Sequence, residues 1–175
     1  MVVLGDGTPE DEVIGIIAWH HTSDTTIGVI KPNRHFTDAY RELKGYLKIK
    51  TVSIFLFITD QDNTNLNDLF ETIKTIIEEQ GITVVSIISN PNTDRLRVFE
   101  CSLAETDFRV ISLISGVENF ETPCHEIEDH LLVMARFVQV NDSKEAWRNL
   151  SFDQKKEIFS RLKHKPIAVQ AFPQH

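Results

Sequence analysis

Val52-Ser53-Ile54-Phe55-Leu56-Phe57-Ile58-Thr59-Asp60-Gln61-Asp62 is a nearly all-apolar run that ends on two carboxylates. A short run of this kind suits a central strand buried on both faces of a sheet. Sheets with such strands belong to α/β folds, and parallel ones place ligand sites at the carboxyl ends of their strands. Asp60 and Asp62 stand at such an end. With one residue between them, both carboxylates can face the same side of the strand's exit and bridge a hard cation such as Mg²⁺ or Mn²⁺. The competing reading is conformational: Asp60, Asp62 and Asn63 are also turn formers and helix N-caps.

Working outward, the flanking segments alternate. Met1 to Leu4 is a short apolar strand closed by Gly5-Asp6-Gly7, and Thr8-Pro9-Glu10-Asp11 carries the signals of a helix start. Thr26 to Ile30 reads as a strand stopped by Pro32, and Phe36, Tyr40, Leu43 and Leu47 recur at helical spacing over 35–47. After Asp62, the positions Leu66, Leu69, Phe70, Ile73, Ile76 and Ile77 mark an amphipathic helix closed by Gly81, and a strand follows over 82–88. The second half differs. Strands over 96–101 and 108–114 suggest a hairpin, Thr122-Pro123 opens a helix running to about Phe137, and Ser151-Phe152-Asp153-Gln154 has the capping-box pattern of a last helix.

The chain has 175 residues, enough for one α/β domain, and its formal net charge is −8. That charge excludes holding nucleic acid through the overall field, yet acidic proteins act on phosphate esters when carboxylates recruit metal ions. No apolar run approaches the roughly 20 residues of a membrane span, and no secretory signal is evident. Cys101 and Cys124 form no disulfide framework or zinc pattern, so a reducing, cytoplasmic setting is expected.

The order strand, acidic turn, helix, strand, helix, strand, Asp-x-Asp, helix resembles the toprim domain of topoisomerases, DnaG-type primases, ribonuclease maturases and OLD-family nucleases. The chain also resembles stand-alone prokaryotic toprim-like proteins of unknown function. Leu4-Gly5-Asp6-Gly7 takes the place of the family's first acidic turn, and Asp60-Gln61-Asp62 takes that of its Asp-x-Asp. The resemblance covers about residues 1–90 and implies a three-layer, Rossmann-like sheet, mainly parallel, with helices on both faces. Residues 91–175 would add the hairpin and the C-terminal helices to a single domain. It implies Mg²⁺ or Mn²⁺ at Asp60 and Asp62, with Asp6 as a third ligand or acid–base group, in a nuclease or other nucleic-acid-processing role. Homo-oligomers and larger processing complexes fit such a role. The family's first acid is normally Glu. Asp6 is one methylene shorter, a loss of reach of about 1 Å that can cost roughly a hundredfold in rate. Metal binding is thus expected ahead of turnover, and a non-catalytic toprim-like or flavodoxin-like regulatory domain is the rival reading.

His125-Glu126-Ile127-Glu128-Asp129-His130 lacks the four-residue histidine spacing of a zinc-protease helix. It reads as a solvated acidic face, with Glu126 or Glu128 as an extra metal ligand in the alternative. Lys31 and Arg34 follow the second strand. Two basic stretches, Arg41 to Lys50 and Lys155 to Lys165, read first as solvated charge and second as nucleic-acid contacts. P-loop, dinucleotide-fingerprint and nucleophile-elbow motifs are missing.

Overall fold

The computed structural model describes residues 2–5, 12–16, 20, 29–30, 36–48 and 52–171. Its strands are β1 (Val2–Gly5), β2 (Val29–Ile30), β3 (Ile54–Asp60), β4 (Thr83–Ser89), β5 (Leu96–Leu103) and β6 (Thr106–Ser115). Residues 12–16 are helical (α1). The later helices are α2 (Phe36–Arg41), α3 (Leu43–Tyr46), α4 (Leu66–Glu79), α5 (Ile127–Met134), α6 (Ser143–Asn149), α7 (Phe152–Leu162) and α8 (Lys165–Ala171).

The fold is α/β, and among the described residues six strands run in the order β2-β1-β3-β6-β5-β4. The sheet is mixed rather than mainly parallel. β1 pairs in parallel with β2 and β3, with Leu4 opposite Phe57 and Gly5 opposite Ile58. β4, β5 and β6 form an antiparallel meander. The reason lies in the connections. A parallel neighbour needs a crossover of a dozen or more residues, whereas β5 and β6 are joined through Ala104 and Glu105 alone. Ala104 adopts a φ of 53°, the left-handed conformation of a tight hairpin turn.

The chain forms two compact units: Met1–Gly7, Gly28–Thr59 and Thr64–Ile114 make one, and Thr8–Ile27, Asp60–Asn63 and Ser115–His175 the other. The core of the first is built on β3. Its Phe55 and Phe57 are buried with Leu69, Phe70, Ile73, Ile76 and Ile77, which α4 presents on a single face at helical spacing. Tyr40 stacks on Phe57 with ring centroids 4.1 Å apart, and its hydroxyl meets Ser112 Oγ at 2.7 Å, so the buried polar end is satisfied. Asn65 caps α4 by accepting from the Asn67 N–H, and Gly81, at φ +76°, lets the chain turn away behind it. The single helix expected over 35–47 is divided at Glu42 into α2 and α3.

Among the described residues, the regular elements of the second unit are helices, apart from the residues it takes from the ends of β3 and β6. Ile127, Leu131 and Leu132 of α5 are fully buried among Phe120, Trp147, Leu150, Ile158 and Leu162. Ser151 and Gln154 form the expected capping box at the start of α7. Among the described residues, no helix is long and apolar enough to cross a membrane.

Candidate metal centre

Every residue of the centre belongs to the second unit. Asp60 is the last residue of β3, which runs two residues further than its apolar stretch, and it is 4% exposed. Its Oδ1 accepts a hydrogen bond from the Ile127 N–H at 2.8 Å. That N–H belongs to the first residue of α5, where backbone donors have no partner inside the helix. Asp62, exposed, adopts a φ of 52°, a left-handed conformation that Asp tolerates better than most residues. Its backbone exchanges hydrogen bonds with His125, N–H to O at 2.9 Å and back at 2.8 Å. The Asp-x-Asp turn is thereby pinned to the residue preceding Glu126. Glu126, in extended backbone, is the N-cap of α5.

Asp60, Asp62 and Glu126 each offer a carboxylate oxygen, and these three oxygens lie within 4.8 Å of one another. The donor set is all oxygen, which suits hard divalent cations in preference to soft ones. Lys144, on the first turn of α6, reaches into the same cluster, its Nζ 2.8 Å from Glu126 Oε1 and 3.2 Å from Asp60 Oδ2. Among the described residues, three carboxylates stand against one ammonium and two formal negative charges remain, the complement of a divalent ion. The cluster could therefore hold a metal ion. Burial pushes the Glu126 carboxyl up, against the pull of Lys144. For Lys144 itself, burial acts downward, but Asp60 and Glu126 outweigh it and hold the ammonium well above its ordinary range.

A second layer of polar groups fixes this layout. Asp129, fully buried, accepts from the Glu126 N–H at 3.2 Å, the Val117 N–H at 3.3 Å and Ser143 Oγ at 2.5 Å, and lies 3.2 Å from His125 Nδ1. His130 Nε2 accepts from the Gly116 N–H at 3.2 Å. The solvated acidic face expected over 125–130 is thus corrected: Glu126, Glu128, Asp129 and His130 are all buried. Buried carboxylates are tolerated where orphan backbone N–H groups and partner side chains satisfy them, as at the start of α5. Glu128 departs from this pattern. Its Oε2 is buried without a hydrogen-bond partner, and burial pushes its pKa up to about 7.

The helix start expected at Thr122-Pro123 is also corrected. Thr122 Oγ1 donates to the Cys124 carbonyl, and α5 begins at Ile127 behind a box formed by Glu126 and Asp129. Of the sequence candidates, Asp60, Asp62 and Glu126 come together. Asp6 lies outside the described residues, as do Glu10, Lys31 and Arg34. Lys144 escaped sequence reasoning. The available signal was Asp142-Ser143-Lys144-Glu145, a helix start in which Asp142 accepts from the Glu145 N–H at 2.7 Å. It announces the helix but not what its second residue reaches.

No family model, curated protein or solved structure matches the chain.

Proposed function

We propose that Asp60, Asp62 and Glu126 hold Mg²⁺ or Mn²⁺ and that the chain is a toprim-like, metal-dependent phosphoryl-transfer protein acting on nucleic acid. The observation that carries this reading is the meeting of three carboxylate oxygens within 4.8 Å on two chain segments more than sixty residues apart, one of them a strand end. The parallel block β2-β1-β3, with Asp-x-Asp closing β3, supports the toprim-like, three-layer comparison; the antiparallel meander is a departure from it. When bound, the cation would orient a phosphate and stabilise charge on its oxygens. The chain's own groups do the rest. The Ile127 N–H fixes Asp60, the reciprocal backbone bonds with His125 fix Asp62, and Lys144 keeps a positive charge beside Asp60 and Glu126, where it would favour an anionic substrate. Asp6 lies outside the described residues, and the resemblance assigns it the part of a third ligand or acid–base group.

The test pairs calorimetric titration of Mn²⁺ with a nuclease assay on single-stranded, duplex and structured RNA and DNA. Asp62 is exposed, so Asp62→Asn removes a ligand with little risk to the fold. Binding and cleavage in the wild type, both abolished in Asp62→Asn, are expected; equal, negligible heat from both proteins refutes the site. One observation favours a second reading. Lys144 already neutralises part of the cluster, so Asp60, Glu126 and Lys144 can serve as a structural ion-pair network in a non-catalytic binding or regulatory domain. Metal-independent stability and no cleavage would select that alternative.

A further inference from the structure

From Lys144 to Lys165, seven Lys or Arg stand against three acids (Glu145, Asp153 and Glu157), in a chain whose formal net charge is −8. The helical period sorts these charges. Lys163 and Lys156 lie roughly 20° and 40° around the axis from Phe152, while Asp153 and Glu157 lie on a separate row at roughly 100–140°. Phe152, Lys156 and Lys163 are exposed, so the basic row faces solvent with an aromatic ring at one end. Phe152 is 79% exposed, so its ring faces are open to a planar partner.

Neighbouring groups hold the row in place. Trp147 and Phe159 meet edge to face with centroids 5.7 Å apart. Lys155 Nζ lies 5.6 Å from the Trp147 ring centre and donates to the Arg148 carbonyl at 3.0 Å. Through these interactions α7 is fastened to α6, the helix that carries Lys144 into the carboxylate cluster.

We infer that the row formed by Phe152 and Lys156 of α7 and by Lys163 at its C-cap is a docking surface for single-stranded nucleic acid. Lys156 and Lys163 would engage backbone phosphates, and the Phe152 ring would stack on an unpaired base. Local charge complementarity selects a polyanion. The lone ring selects a base, because a membrane-surface helix needs a continuous apolar face, and this row has one exposed apolar side chain. As the substrate-holding face of the candidate centre, the surface rests on the phosphoryl-transfer reading; as a binding surface it is testable without metal.

The test is fluorescence anisotropy in EDTA with labelled oligothymidylate, oligouridylate and a duplex of equal length, and with anionic phosphatidylserine vesicles as a control. The wild type should bind the single strands more tightly than the duplex. Phe152→Ala should weaken single-strand binding roughly five- to hundredfold with little change in salt dependence. Lys156→Ala/Lys163→Ala should lower the salt slope by about 1.4, or about 0.7 for each phosphate no longer neutralised. All three side chains are exposed, so circular dichroism should match the wild type. Undetectable wild-type binding, tighter binding to vesicles or duplex, or unchanged single-strand affinity in both variants would overturn the inference. Binding in EDTA without cleavage in Mn²⁺ would retain the surface and remove the phosphoryl-transfer reading; cleavage unaffected by either variant would do the reverse.

Discussion

Glu128→Gln isolates the cost of burying a carboxyl whose Oε2 has no hydrogen-bond partner. Glu128 is 2% exposed, and burial raises its pKa from 4.5 to about 7 against the pull of its backbone hydrogen bond and Lys144. In the unfolded chain the same group ionises near its ordinary value. Between about pH 4.5 and 7 the folded protein therefore keeps a proton that the unfolded chain has released. The contribution of Glu128 to stability is fully present below that window, declines as the pH rises through it, and is level above it. At about 1.4 kcal/mol per pH unit, the window corresponds to about 3 kcal/mol. The assay is urea unfolding followed by Trp147 fluorescence in a Trp19→Phe background, with EDTA present, at about pH 4 and about pH 8. Gln introduces an offset of its own, but one that does not depend on pH. The difference between Glu128→Gln and the parent should therefore shift by about 3 kcal/mol in favour of the variant from the lower pH to the higher. A difference that stays constant with pH would refute the reasoning and mean that the ionised carboxylate is compensated in the fold.

Lys144→Met removes the ammonium that, among the described residues, Asp60 and Glu126 share, and so brings two buried carboxylates into closer conflict. In EDTA this should cost roughly 2–3 kcal/mol, less than for a fully buried pair because Lys144 is partly exposed. Mn²⁺ should restore more stability to the variant than it adds to the wild type; equal effects would count against a cation site. Burial and then Glu78 push the Cys101 thiol up to about 12, so a thiol reagent at pH 8 should label Cys101 only after unfolding. The Cys124 thiol is raised by burial and then by Glu126, Asp62 and Asp142, so Mg²⁺ at the cluster should speed its labelling, and a rate indifferent to Mg²⁺ would contradict the site. Tyr40→Phe removes the partner of buried Ser112 Oγ and should cost about 1–3 kcal/mol by thermal unfolding; a neutral effect would show Ser112 satisfied by another group.

Legibility followed the range of the interaction responsible. The core strand around Phe55 and Phe57, the α4 face and the α7 cap could all be read because each rests on local periodicity or on a capping pattern three residues long. The β5–β6 hairpin was visible in outline, and its observed loop is shorter than the one inferred. The misreadings lie where local signals compete. Thr122-Pro123 resembles a helix start, but Glu126 and Asp129, three residues apart, satisfy the first turn of α5 instead. Glu126, Glu128, Asp129 and His130 read as a solvent-facing charge run because nothing in their own segment reveals the Lys144 ammonium that meets Glu126, or the Gly116 and Val117 N–H groups and the Ser143 hydroxyl that receive His130 and Asp129.

The sequence by itself determined that an apolar strand ends on Asp60 and Asp62 and that the chain is an acidic α/β protein, since apolar pattern and charge are properties of consecutive residues. Tertiary structure alone decided that the sheet is mixed, that Glu126 joins the pair, and that Lys144 sits between Asp60 and Glu126. Glu126 lies sixty-six residues beyond Asp60, and Lys144 eighteen beyond Glu126. Bringing such distant groups within 5 Å is the work of backbone pairing and helix packing, which no local pattern encodes.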